Sequence, residues 1–396
     1  MPSAAAARDI VTLGIDRLLT SERKLIAGAR VGLVCNPASV DAKFVHTADR
    51  LKNDPDVTLA ALFGPQHGFR SDLQDNMIET PHGRDCRRNV PIYSLYSETR
   101  EPTTDMLRGL DVLVVDLQDV GTRVYTFIYT MANCMRAAAR HGLPVIVCDR
   151  PNPIGDRIEG ARLQDPWTSF VGQFPIPMRH GLTIGELARL FNEDYGIGAK
   201  LAVVALEGWR RDDYLDETGL PWIIPSPNLP TLESATVYPG AVLFEGTLLS
   251  EGRGTTKPFE LIGAPWIDGE RLSDAMNARH LPGVHFRAAF FEPTFQKHAK
   301  RSCGGCQIHV LDRRTFEPLR TAVELIAAFH AANPDRFEWR NPPYEYEHDK
   351  EPIDILYGTD HLRQTIDEGR DLRALIDSWR QDEEDFANQR KPHLLY

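Results

Sequence analysis

Four apolar runs in the first 150 residues each pass straight into a short polar cluster, and this repeat constrains the fold more than any other feature. Val31-Gly32-Leu33-Val34-Cys35 leads into Asn36-Pro37. Leu59-Ala60-Ala61-Leu62-Phe63 leads into Gly64-Pro65-Gln66-His67-Gly68-Phe69-Arg70. Val112-Leu113-Val114-Val115 leads into Asp116-Leu117-Gln118-Asp119-Val120-Gly121, and Val145-Ile146-Val147-Cys148 into Asp149-Arg150-Pro151-Asn152-Pro153. Short apolar runs bounded by turn residues read as buried strands. Between them lie helical patterns at Thr103–Leu110 and Tyr125–His141, the second followed by Gly142 as a left-handed stop. Strands alternating with helices predict an α/β, Rossmann-like, doubly wound and mostly parallel sheet. Ligands bind outside the carboxyl ends of such strands. Gln66, His67, Asp116, Gln118, Asp119, Asp149 and Asn152 are therefore expected to converge on one crevice.

Thr183-Ile184-Gly185-Glu186 has the spacing of a capping box, which assigns Glu186 to the start of a helix rather than to chemistry. Lys200–Leu206 reads as a further strand. The proline-rich stretch Pro221–Pro239 precedes a mixed pattern, with strands at Val284–Phe291 and Gln307–Leu311 and helices at Phe316–Ala332 and Asp371–Asn388. This predicts a catalytic domain over 1–235 and a smaller α+β domain over 236–396.

The net charge of -11 argues against a nucleic-acid partner held through its phosphates. No run of about 20 apolar residues predicts a membrane helix. The N-terminus lacks the basic-then-apolar order of a secretory leader, and six scattered cysteines fit reduced thiols, so a cytoplasmic setting is expected. No G-x-G-x-x-G follows the first strand, and Gly252-Arg253-Gly254-Thr255-Thr256-Lys257 has the wrong order for a P-loop, so no nucleotide cofactor is expected. A single Cys303-Gly304-Gly305-Cys306 is too little for a zinc site.

The polar clusters suit a polyhydroxylated ligand, which needs the donors and acceptors of Asp, Asn, Gln and Arg side chains. Asp119, Arg123 and Tyr125 lie close together in sequence, and His67 and His180 each precede glycine in a tight motif. Each has a structural alternative: Asp149 pairing with Arg150, Asn152 making a turn, Glu251 pairing with Arg253. Glycoside hydrolysis needs two carboxyl groups, one protonated and one ionised. Conspicuous carboxylates are Asp116, Asp119, Asp149, Glu159, Glu245, Glu251 and Glu260.

The longer motifs resemble the exo-β-N-acetylmuramidase family, long known only as a domain of unknown function. The resemblance rests on Phe63–Arg70, Asp116–Arg123, Asp149–Gly155, Arg179–Leu187, Pro225–Thr231 and Ser250–Thr256. It implies a Rossmann-like catalytic domain, a smaller C-terminal domain closing the cleft, and release of N-acetylmuramic acid from the non-reducing end of peptidoglycan fragments, as in cell-wall recycling. Family members commonly carry Glu as a catalytic candidate at the position of Gln66, and an amide neither donates nor accepts the catalytic proton. The alternative is therefore a catalytically silent sugar-binding protein, or a hydrolase of another sugar. The expected catalytic residues are Glu159, Glu251 and Asp119, with Gln66 beside them. The expected substrate-binding residues are His67, Arg70, Asp116, Gln118, Arg123, Tyr125, Asp149, Asn152, Arg179, His180, Asn228 and Arg253. Among these, Arg70, Arg123, Arg179 and Arg253 are candidates to clamp the lactyl carboxylate of a muramic acid.

Overall fold

The computed structural model describes residues 10–74 and 77–396. The first nine residues, on which the leader expectation rests, lie outside them. In chain order the strands are β1 Arg30–Cys35, β2 Thr58–Gly64, β3 Gly83–Asp85, β4 Val90–Ser94, β5 Val112–Asp116, β6 Val145–Cys148, β7 Glu159–Arg162, β8 Pro177–Arg179, β9 Leu201–Val204, β10 Leu261–Ala264, β11 Val284–Phe291 and β12 Cys303–Val310. Seven of them form one sheet in the order β3-β4-β2-β1-β5-β6-β9. Every neighbouring pair is parallel except the edge pair β3–β4. The four runs that opened the sequence reading are thus parallel strands with their carboxyl ends on one rim.

Period-two alternation divides these strands between two cores. Val34, Leu113, Val115, Val145 and Val147 pack under the helices Phe127–Arg140 and Ile184–Glu193. Val31, Leu33, Val112, Val114, Ile146 and Cys148 pack on the other face, under Gly14–Leu18 and Thr47–Lys52. Both faces are covered, as a parallel sheet requires. The capping box forms: Thr183 Oγ1 accepts from the Glu186 amide at 3.2 Å, and Glu186 Oε2 accepts from the Thr183 amide at 3.0 Å. Gly142, at φ +63°, follows the helix Phe127–Arg140 as expected.

The remainder of the chain builds the antiparallel sheet β10-β12-β11, with the helices Leu232–Ala241 and Pro318–Ala332 beside it. The helix Leu372–Arg390 returns to the first part, where Asp382 and Glu383 accept from the amides of Arg162 and Gly160 on β7. One hydrophobic core runs through both parts, and residue 235 lies within the helix Leu232–Ala241. A division at about residue 235 is our proposal for how the chain is organised.

Arg123 ties the loop after β5 to three other segments. Its guanidinium is fully buried and, among the described residues, meets no carboxylate. Nη1 donates to the carbonyls of Ala161 and Ile176, each at 3.1 Å, and Nη2 to those of Leu356 and Tyr357 at 2.9 and 2.7 Å. Burial pulls its pKa down to about 10. Arg123, expected to bind substrate, spends its donors on backbone instead. Replacing it by Met removes a donor from four buried carbonyls, of which Ile176 keeps the Leu163 amide at 3.4 Å, and each buried acceptor left unpaired costs about 1–3 kcal/mol. Denaturant melts of Arg123→Met should show a loss of roughly 3 kcal/mol or more, and a loss under about 1 kcal/mol would refute this role.

Candidate active site

A cavity opens beside the rim of the main sheet. Gln66 and His67, in the loop after β2, form one wall, and Val124–Phe127, in the loop after β5, form another. Ser226, Asn228 and Leu229 come from the proline-rich segment. Tyr238 and Glu245 reach in from the helix Leu232–Ala241 and the short turn after it. Arg253, Phe259, Tyr344 and Glu345, with Val171 and Val242, complete the lining.

Two carboxyl groups in this cavity are held in opposite states. Burial alone would raise Glu245, but Arg253 and Tyr344 outweigh it and hold the carboxyl below its ordinary range. Arg253 Nη2 donates to Glu245 Oε1 at 2.6 Å, and the Tyr344 hydroxyl donates to Oε2 at 2.8 Å. Glu345 has no cationic hydrogen-bond donor among the described residues. It accepts from the Tyr96 hydroxyl at 2.9 Å and from Gln66 Nε2 at 3.4 Å. Burial, reinforced by the charge on Glu245, pushes Glu345 up to about 7. Gln66 is itself oriented, since Thr126 Oγ1 donates to its Oε1 at 2.7 Å.

Glu345 sits in a strained turn. Tyr344 and Glu347 exchange backbone hydrogen bonds at 3.0 and 2.9 Å, and the two residues between them, Glu345 and Tyr346, have φ of +43° and +70°. Reversals with both central residues at positive φ normally use Asn-Gly. Placing a glutamate and a tyrosine there costs energy that functional sites tolerate.

The expected site residues divide into three groups. Gln66, His67, Tyr125, Asn228 and Arg253 line the cavity. Behind its lining, Glu251 pairs with Arg253 at 3.3 Å, and Asp119 meets His180 Nε2 at 3.3 Å while Oδ2 accepts from the Gly121 amide. Gly121, at φ +78°, lets this loop close on Asn152, whose Oδ1 would stand 2.5 Å from an added Cβ.

The others are placed elsewhere. Asp116 accepts from Arg150 Nε at 2.6 Å and from the Thr47 hydroxyl. Asp149 accepts from the Gly185 amide and the Thr183 hydroxyl at 2.7 Å each, at the start of the helix Ile184–Glu193. Asn152 makes its expected turn, accepting from the Ile154 amide. Gln118 donates to the carbonyls of Asp119 and Pro151 and lines a separate small cavity with Arg150 and Trp222. The expected single crevice is therefore corrected: these polar groups are consumed in bracing the strand ends. Arg179 donates to the Ile154 carbonyl and the Tyr214 hydroxyl, and Arg70 is exposed away from the cavity lining. Glu159 lies in a different depression with Glu317, Trp379 and Glu383, and accepts from the Arg320 amide at 2.9 Å. Burial raises it to about 7, yet it stands apart from the cavity carboxyls. Sequence reasoning named Glu245 without choosing it and missed Glu345, Tyr96, Tyr238 and Tyr344. The signal available was Pro342-Pro343-Tyr344-Glu345-Tyr346-Glu347, where acids alternate with aromatics in a turn-prone stretch.

Among the described residues, no three His, Cys, Asp or Glu side chains are grouped to hold a metal ion, and no helix is long and apolar enough to cross a membrane. An α/β sheet with a carboxyl pair in one cavity, one member ionised and the other neutral, is the equipment of a glycosidase. The chain belongs to the exo-beta-N-acetylmuramidase NamZ family, whose N-terminal model matches residues 31–233 and whose C-terminal model matches 236–396. It is 46% identical, over 98% of its length and 91% of the relative's, to the peptidoglycan beta-N-acetylmuramidase NamZ of Bacillus subtilis (strain 168). Crystal structures of two DUF1343 family proteins from Bacteroides fragilis NCTC 9343 have similar folds, each matched over 98% of this chain. The first has a TM-score of 0.89 at 36% identity, with all of that chain covered. The second has a TM-score of 0.75 at 29% identity, with 99% of that chain covered.

The Glu345 environment has a consequence for stability. Its folded pKa of about 7 lies above the ordinary 4.5, so the folded protein holds this proton where the unfolded chain releases it. Its ionisation therefore destabilises the fold progressively as pH rises from about 4.5 to 7, by roughly 3 kcal/mol in full. Glu345→Gln keeps the shape and removes the penalty. Melting temperatures of variant and wild type should be similar near pH 5 and diverge by several degrees, with the variant higher, near pH 8.5. A difference that stays constant across this range would contradict the assignment.

Proposed function

We propose that this protein is a glycoside hydrolase that releases N-acetylmuramic acid from the non-reducing end of peptidoglycan fragments, with Glu345 as general acid and Glu245 as the ionised partner. The observation that carries the reading is the opposed ionisation of two carboxyls in one cavity. Protonated Glu345 donates to the glycosidic oxygen as the bond to the anomeric carbon breaks. The Glu245 carboxylate stabilises the positive charge that develops on the sugar, and Arg253 and Tyr344 keep it ionised and oriented; a water then bonds to the anomeric carbon and gives its proton back to the Glu345 carboxylate. Tyr125, Phe127, Tyr238 and Phe259 supply apolar faces for the carbon side of a sugar ring, and Asn228 and Ser226 supply polar groups for its hydroxyls. The name of the Bacillus subtilis relative supports the substrate class.

Gln66 motivates a second reading, sugar binding without hydrolysis. Its amide cannot transfer the proton, but Glu345 is hydrogen-bonded to that amide and brings a carboxyl to the same place. We therefore assign Gln66 to holding the acid. We place the work on peptidoglycan-derived fragments in the cytoplasm; six unpaired cysteines, five of them buried, fit a reducing compartment.

The test is turnover of a chromogenic β-N-acetylmuramide. Wild-type kcat/KM should fall above about pH 7 as Glu345 loses its proton, and hold into the acid range because Glu245 stays ionised there. Glu345→Gln and Glu245→Gln should each lose about a hundredfold or more, and Glu159→Gln should stay within a few-fold of wild type. Muramide binding without turnover by the wild type would favour the silent reading, and full activity in both cavity variants would refute the assignment.

A further inference from the structure

Lys297 belongs to none of the motifs that carry the family resemblance, and it does not line the cavity. Its side chain is only 12% exposed. All three ammonium hydrogens have a partner: the Phe244 carbonyl at 2.8 Å, the Leu249 carbonyl at 3.0 Å and Glu251 Oε2 at 2.8 Å. Glu251 Oε1 in turn faces Arg253 Nε at 3.3 Å, and Arg253 grips Glu245. Four alternating charges thus run from Lys297 to the cavity, with every side chain largely buried. Lys297 also holds the carbonyl of Phe244, the residue immediately before Glu245.

The loop that delivers this lysine is strained. Gln296, His298 and Lys300 have φ of +68°, +57° and +60°, and His298 Nε2 is anchored 2.7 Å from the Leu248 carbonyl. Gly254, at φ +80°, admits the loop, since an added Cβ there would stand 2.6 Å from the Phe295 carbonyl oxygen. An apolar side chain would fill this place without the desolvation of an ammonium, and buried ion pairs seldom gain stability over such packing. Strain and buried charge together point to a role at the site they adjoin.

We propose that Lys297 is a positioning residue: seated on Glu251, it fixes the Arg253 guanidinium against Glu245 and adds a second positive charge facing that carboxylate. The proposal rests on the reading of Glu245 as the ionised partner. Among the described residues, Tyr344 and Glu345 from the strained turn and Tyr238 from the helix Leu232–Ala241 also face Glu245, and Arg340, 5.3 Å from the Tyr344 ring centre, acts on Lys297 as a like charge. None of these lies in the loop that carries Lys297. The charge of Lys297 lowers Glu245, in the same direction as that of Arg253.

The test uses the full chain with Lys297→Met, and with Lys297→Gln, which keeps amide donors for the two carbonyls should Met impair folding. Two readouts are needed: the pH profile of kcat/KM on a muramide, and the titration of the Glu245 carboxyl by carbon-13 NMR without substrate, assigned from its loss in Glu245→Gln. Both variants should move the Glu245 titration and the acidic limb upward by about one pH unit, a tenfold change in proton affinity, and leave the alkaline limb near 7 in place. An unmoved Glu245 titration in a folded variant overturns the proposal. A titration that moves while the acidic limb does not upholds the role of Lys297 and instead overturns Glu245 as the reacting carboxylate.

Discussion

The ion pair between Arg253 and Glu245 is the interaction on which the site depends. Both side chains are nearly removed from water, at 6% and 4% exposure. A carboxylate buried alone would take up a proton. Here the guanidinium fixes the charge, and that fixed charge then acts on its surroundings: added to burial, it raises Glu345 to about 7. In the proposed mechanism one cavity thus holds a proton donor and an anion, and the division of labour follows from which carboxyl the arginine touches.

The fold explains why the pair can be assembled. The parallel sheet supplies a rigid rim, and the loops after β2 and β5 carry Gln66 and the Val124–Phe127 wall from it. The strand ends of β5 and β6 and the loop after β5 are braced by polar groups that do not line the cavity: Arg123 on four carbonyls, Asp116 on Arg150, and Asp149 at the start of the helix Ile184–Glu193. The charged centre itself comes from the second part of the chain, through Glu245, Arg253, Tyr344 and Glu345. Gln66 and Tyr96 cross from the first part to Glu345, so the two parts meet at the carboxyl pair.

The sheet was legible because its signals are local. Apolar runs with polar ends became β1, β2, β5 and β6, and Thr183 with Glu186 made the box that its spacing implied. The site was legible only in part. Gln66, His67, Tyr125, Asn228 and Arg253 stood in long motifs and line the cavity, whereas Asp116 and Asp149 stood in equally conspicuous motifs and serve the scaffold. Motif prominence does not separate these roles; the direction of the side chain does, and that is a tertiary property. Glu345 escaped notice because its turn has no Asn-Gly and takes positive φ at a glutamate and a tyrosine. Glu159 owes its raised pKa to burial, and it lies against Arg320 and the C-terminal helix, outside the cavity that holds the carboxyl pair, a placement its sequence motif does not reveal.

The most direct test of the account is a crystal structure of Glu345→Gln with an intact β-N-acetylmuramyl disaccharide. The sugar should occupy the cavity between positions 245 and 345. Its glycosidic oxygen should lie about 2.6–3.2 Å from the side-chain amide introduced at position 345, the reach a general acid needs. The anomeric carbon should face Glu245, and the aromatic rings of Tyr125 and Tyr238 should border the ring. A disaccharide bound instead against Asp116 and Asp149, or in the depression beside Glu159, would contradict the account.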